Sequence, residues 1–275
     1  MTNLGFSINV RIGIWLDDLR LGIKQGLKTI APLKLETIGL DAFGPEINPR
    51  HLGRSGRHDL AQFIRARGAA LAALRADVGG RRLADPQTLD VNLSRLREAM
   101  LMAADLSVSH MIVAGGYIPP IDDRDNLSHR TALGEAVRVL AMASSSLGVR
   151  VCWLGGNEAP EVLKEFLDTH DPSGLVEADL NPGGYVMRGI DPLKAVNALS
   201  SRVSMATAVD HYQGGAEAPF GLGDVRWGNI LVGLSTLQRN APIDLLAACN
   251  LDGDRVQALS GAYKRLVAWR QHPLG

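Results

Sequence analysis

Asp210 and His211 stand side by side in the stretch Val203–Trp227, VSMATAVDHYQGGAEAPFGLGDVRW, where an apolar run gives way to a glycine-rich loop and then a helix start. A carboxylate beside an imidazole can serve as general base and acid in proton-transfer chemistry. Neighbouring residues on a strand face opposite ways, so the pair is not expected to work as a dyad; an Asp that orders the loop and a solvated His are the competing readings. Asp179 falls inside another apolar run, LVEADL (175–180). Burial there would raise its pKa and suit it to acid–base work, unless it is tied up in a salt bridge or a strand-end hydrogen bond. Arg75, with Arg81 and Arg82 in the loop beyond it, can grip a phosphate or carboxylate through the guanidinium fork, although the latter two also read as a solvated loop.

Strand-like and helix-like runs alternate along the whole chain and would position these groups. Strand patterns occupy residues 8–14, 33–40, 69–74, 110–116, 149–154, 175–180, the run opening at Val203, and 242–248. Helical spacing follows each: 16–30, about 58–67, 87–106, 130–147, 158–169 with Asn157 as its cap, 192–200, 225–238, and a closing helix marked by Val256, Leu259, Tyr263 and Leu266. Eight such pairs at roughly 30 to 35 residues each predict a single (β/α)8 TIM barrel spanning 1–275. The rival doubly wound sheet would carry a glycine cluster after its first strand, where this chain has WLDDLRLG. In a barrel, Asp210, Asp179 and Arg75 all fall near the strand ends that form the active face.

Composition removes several classes of function. The chain has 275 residues, 46% hydrophobic, and its 29 Lys and Arg balance its 29 Asp and Glu. No positive field is available to hold a nucleic-acid backbone or an anionic membrane surface. Cys152 and Cys249 are far apart and read as small buried hydrophobes. The remaining histidines make no ligand spacing, and there is no phosphate-binding loop, dinucleotide fingerprint or nucleophile elbow. Without a signal peptide or a membrane-length apolar run, a soluble cytoplasmic protein is expected, and a homo-oligomer is compatible with it.

The segment APFGLGDVRW (218–227) resembles the Pro-x-Gly-x-Gly-x-x-Asp-Trp element of the xylose-isomerase-like barrels, the sugar phosphate isomerase/epimerase family, with Arg226 in place of the acid. Here Gly221 and Gly223 would allow a tight turn, Asp224 would cap a helix and Trp227 would anchor it. GVRVCWLGGNEAPEVL (148–163) and DLNPGGYVMRGIDP (179–192) resemble the family's fifth and sixth strand ends. The resemblance implies a sugar or sugar-phosphate substrate and one divalent ion held by a Glu, an Asp, a His and a second Glu from strands five to eight. At those places this sequence has Leu154 (or Gly155), Asn181, Thr207 and Leu246 (or Ala247). Losing the carboxylates and the imidazole removes most of the affinity for such an ion, so no metal cofactor is expected.

Asn181 and Thr207 then become candidates to bind substrate hydroxyls. The resulting expectation is an isomerase or epimerase of a small polyhydroxylated compound that works by proton transfer around Asp210, Asn181 and Asp179. The alternative is an inactive relative that binds carbohydrate or serves as a partner subunit. The DNA repair nuclease of the same superfamily is disfavoured by the charge balance and the missing ligands.

Overall fold

The apolar runs become strands because they are buried on both faces, as parallel strands covered by helices must be. The computed structural model describes residues 8–79, 83–237 and 241–273; Arg81 and Arg82 lie outside them. Its strands are β1 (Val10–Trp15), β2 (Thr37–Asp41), β3 (Ala70–Ala76), β4 (His110–Val113), β5 (Arg150–Leu154), β6 (Val176–Leu180), β7 (Val203–Ala208) and β8 (Ile243–Ala247). Each pairs in parallel with the next, and β8 returns to β1 with Val10 opposite Ile243 and Ile14 opposite Ala247. The eight strands form one closed (β/α)8 barrel.

Around it lie α1 (Ile23–Ile30), α2 (Arg54–Arg65), α3 (Leu89–Asp105), α4 (Leu127–Leu147), α5 (Pro160–His170), α6 (Pro182–Met187), α7 (Pro192–Ala198), α8 (Trp227–Ser235) and α9 (Arg255–Gln271). Three details depart from the sequence reading. The first helical stretch is split into a short 3-10 turn, Leu16–Leu19, and α1, because Arg20 takes a left-handed conformation (φ 56°) that ends the turn. Helix α5 starts at Pro160 with Ala159 at its N-cap rather than Asn157, since the fixed φ of proline suits the first helical position. The α6 turn was unforeseen: Pro182 opens it, and Asn181 Oδ1 caps it by accepting from Gly184 N at 3.0 Å.

Inside the barrel the side chains form three levels. Trp15, Ala73, Ile112, Cys152, Met205 and Leu246 make a largely apolar plug across the middle. Gly39 makes room for it, because a Cβ there would stand 2.4 Å from the Trp15 ring and 2.9 Å from Leu246. Below the plug, at the N-terminal strand ends, the floor is polar: Arg11 pairs with Asp244 at 2.6 Å and Arg150 with Glu177 at 3.4 Å. Above it lies the mouth. The β6–β7 pairing slips between Ala178 and Asp179, so that Ala178 faces Val203 while Asp179 faces Met205, leaving Ser204 as an extra residue on β7. Bulges of this kind re-aim side chains beside functional sites.

Candidate active site

The mouth is a cleft of about 660 Å³ bordered by Asp41, Arg75, Leu154, Asp179, Asn181 and Thr207. Of the three acid–base candidates from the sequence, it contains only Asp179. That carboxyl is fully buried, and its Oδ2 accepts the Thr207 hydroxyl at 2.7 Å. Its Oδ1 has no hydrogen-bond partner among the described residues. Burial raises the pKa to about 7, although the Thr207 hydrogen bond and the charge of Arg75 pull the other way. A carboxyl balanced between its two forms near neutrality is suited to both taking and returning a proton.

Arg75 faces the same cleft but is already held by carboxylates. Its Nε donates to Asp41 Oδ1 at 2.7 Å, and its Nη2 donates to Asp18 Oδ1 at 2.7 Å and Asp41 Oδ2 at 3.2 Å. The guanidinium also lies over the Trp15 ring, 4.8 Å from its centroid. Asp17 completes the group by accepting from Asp41 N at 2.7 Å, and Asp18 Oδ2 accepts from Cys249 N at 3.1 Å. With three carboxyls around one cation, burial pushes Asp17 up to about 6 and raises Asp18, whereas the carboxylates keep Arg75 firmly protonated against its own burial. Arg75 Nη1 makes no hydrogen bond among the described residues and remains as a donor to the cleft.

Asp17, Asp18 and Asp41 were missed by the sequence reading. Their signal was present: acids at the ends of the first two strands, in WLDDLRLG and in ETIGLD. Glu158, in the loop after β5, is another unforeseen group, pushed up to about 7 by burial against the opposing charge of Arg188.

Asp210 and His211 lie outside the mouth cleft. Asp210 is buried and its two oxygens accept four backbone N–H groups: His211 (3.1 Å) and Val225 (3.3 Å) on Oδ1, Gly221 (2.8 Å) and Gly223 (3.3 Å) on Oδ2. It therefore holds the glycine loop together. Gly223 is required for this approach, since a Cβ there would come within 2.3 Å of Asp210 Oδ1. Asp224 does not cap the following helix as expected; its Oδ2 accepts from Gln213 N at 2.8 Å, and α8 has Arg226 at its N-cap with no side-chain cap. Trp227 does anchor that helix, buried and stacked on Phe220 with ring centroids 4.9 Å apart. His211 packs against α6, where a Cβ on Gly183 would meet its Nδ1 at 2.6 Å.

No protein-family model matches the sequence, and no curated protein matches it. Solved structures do match over nearly the full length. A xylose isomerase domain protein from Planctomyces limnophilus superimposes with a TM-score of 0.80 at 18% identity, over 96% of this chain and 98% of that one. The fold is that of the xylose isomerase-like TIM barrels. A D-tagatose 3-epimerase-like protein matches with a TM-score of 0.75 at 14% identity, over 97% and 100% of the two chains. The IOLI protein, solved with a bound zinc atom, gives 0.75 at 12% identity over the same shares. At such identities the likeness establishes the shared barrel and leaves the chemistry to the side chains described above.

Proposed function

We propose that this chain is an isomerase or epimerase of a small polyhydroxylated compound, acting by proton transfer at Asp179 without a divalent ion in the mouth. One observation carries the reading: a fully buried carboxyl with a pKa of about 7, one oxygen held by Thr207 and the other unpartnered, beside an open cleft of sugar size. The D-tagatose 3-epimerase-like protein among the structural neighbours supports the substrate class.

Ionised Asp179 would take the proton from a carbon next to a carbonyl, and the electron pair would move onto the carbonyl oxygen to give an enediolate. Arg75 Nη1 and the Asn181 amide border the same cleft and would share the developing negative charge. Passage of the hydroxyl proton to the former carbonyl oxygen, with return of the carbon-derived proton from Asp179 to the former carbonyl carbon, gives the isomer and leaves Asp179 ionised again. A single carboxyl suits that transfer between neighbouring carbons, whereas epimerisation at one carbon needs a second donor on the far face.

A divalent ion does not fit the donor set in the mouth. Of the four positions where the resemblance would place ligands, Leu154 and Leu246 are aliphatic. The Thr207 hydroxyl donates to Asp179, and Asn181 Oδ1 accepts from Gly184 N. Among the described residues, no three His, Cys, Asp or Glu side chains converge there on one point. The proposed chemistry needs none.

The test is solvent-proton exchange in D2O with neutral ketoses, aldoses, inositols and sugar phosphates, followed by NMR in the presence of a chelator. Deuterium entering beside the carbonyl, and lost in Asp179→Asn, supports the proposal. Thermal stabilisation by a sugar with no exchange would favour the inactive carbohydrate binder, and exchange that survives in Asp179→Asn would remove Asp179 from the mechanism.

A further inference from the structure

His110, at the start of β4, and Glu177, near the start of β6, approach Cys152 of the intervening β5, whose thiol lies in the apolar layer above the floor. One ring nitrogen, the sulfur and one carboxylate oxygen all lie within 4.8 Å of one another. We propose that this cluster is a zinc-class metal site, separate from the mouth and structural in role. The donor types select the ion: thiolate and imidazole together favour Zn²⁺ or Co²⁺ over the hard cations Mg²⁺ and Ca²⁺. In tetrahedral zinc sites the bond lengths place ligand atoms roughly 3.3–3.8 Å apart, so closing on an ion asks for about an ångström of side-chain movement.

The surroundings supply the rest of a site. Ser204, the extra residue of the β7 bulge, lies with its Oγ 3.2 Å from Cys152 Sγ and offers a fourth oxygen, unless a water takes that position. Ser109 Oγ is 2.9 Å from His110 Nδ1 and orients the ring, and Arg150 holds Glu177 Oε1 at 3.4 Å. Such outer contacts fix ligands in metal centres. Charge also balances. Binding displaces the thiol proton to solvent, and one thiolate, one carboxylate and a neutral imidazole then leave a divalent ion with no net charge. Burial holds the Cys152 thiol protonated without a metal, as does the nearby Glu177. His110 and Ser204 are only partly buried, so the cluster is reached from the floor of the barrel and not through the mouth.

The experiment is a titration of chelator-treated protein with Co²⁺, read by absorption. One cobalt per chain, with a thiolate-to-cobalt charge-transfer band and the visible bands of a tetrahedral ion, is the expected result. Cys152→Ser should abolish the charge-transfer band, and His110→Gln, at a partly exposed position less exposed to folding defects, should weaken binding 10- to 100-fold. Zn²⁺ should raise the melting temperature of the wild type and not that of either variant. No charge-transfer band at saturating cobalt, or binding unchanged in both variants, would overturn the assignment. Proton exchange on sugars in chelator-treated protein reads the mouth alone, so the two proposals fail separately.

Discussion

Thr207 donates its hydroxyl to Asp179 Oδ2 across the β6–β7 seam at 2.7 Å, while Asp179 Oδ1, also buried, has no partner among the described residues. One oxygen is fixed and the other is left for chemistry. The pKa of about 7 is the sum of burial, which raises it, and of the hydroxyl and Arg75, which lower it.

If ionised Asp179 is the base, kcat/KM should rise tenfold per pH unit below about 7 and level off above it. Thr207→Val removes a hydrogen bond to a charged group. The inflection should therefore move upward by roughly one to two units. A pH–rate profile of both proteins checks this, and an inflection unmoved by the substitution would detach Thr207 from the titrating group.

Stability should change with pH in the opposite sense to rate. The folded-state pKa of Asp179 is raised from 3.8 to about 7, so the native protein holds a proton that the unfolded chain has lost. The associated stability is present in full below pH ~4 and disappears as pH rises to ~7, an effect on the order of 4 kcal/mol by linkage. Glu158, raised to about 7, and Asp17, raised to about 6, act in the same direction. Asp179→Asn should be more stable than wild type at pH 8 and gain nothing at pH 4, as urea titrations at the two pH values would show.

Asp210→Asn is expected to loosen the glycine loop. The amide keeps one acceptor but turns an NH2 toward backbone donors that now meet a carboxylate, at a cost of about 2–4 kcal/mol. Amide hydrogen exchange should accelerate at Gly221, Gly223 and Val225. Unchanged protection there would mean that the loop is held by other contacts.

Arg75→Met should cost roughly 3–5 kcal/mol at neutral pH, because Asp18 and Asp41 would lose the cation between them. The penalty should shrink in acid as Asp17 and Asp18, whose pKa values are raised, take up protons. Thermal melts of the variant between pH 4 and 8 measure this.

Gly39→Ala places a methyl 2.4 Å from the Trp15 ring and should cost on the order of 1–3 kcal/mol. Displacing Trp15 also disturbs the guanidinium that rests on it. A changed near-ultraviolet circular dichroism spectrum together with reduced stability is the expected outcome.

The barrel was legible because alternation of strand and helix is a local property, repeated eight times, and the closed sheet follows from it. Partnerships inside it were not. Asp179 meets Thr207 from 28 residues away and Arg75 meets Asp18 from 57, distances over which no periodicity carries information. The loop 209–226 contains three acids, Asp210, Glu217 and Asp224, and pattern alone assigned the helix cap to Asp224. Tertiary placement instead put Asp210 beneath the turn and Asp224 on Gln213. Helix α6 was hidden because Pro-Gly-Gly reads as a breaker, a propensity that burial of Tyr185 and the Asn181 cap override.

The plug of Trp15, Ile112, Cys152, Met205 and Leu246 leaves the barrel with two chambers that share walls and meet at the Cys152 thiol. Energies of substitutions at the Arg11–Asp244 pair and at the Arg75–Asp41 pair should therefore add, since the two pairs have no hydrogen-bond partner in common. A lineage could rebuild one socket while the other keeps its ligand, and a single scaffold of this shape can carry two histories of selection at once.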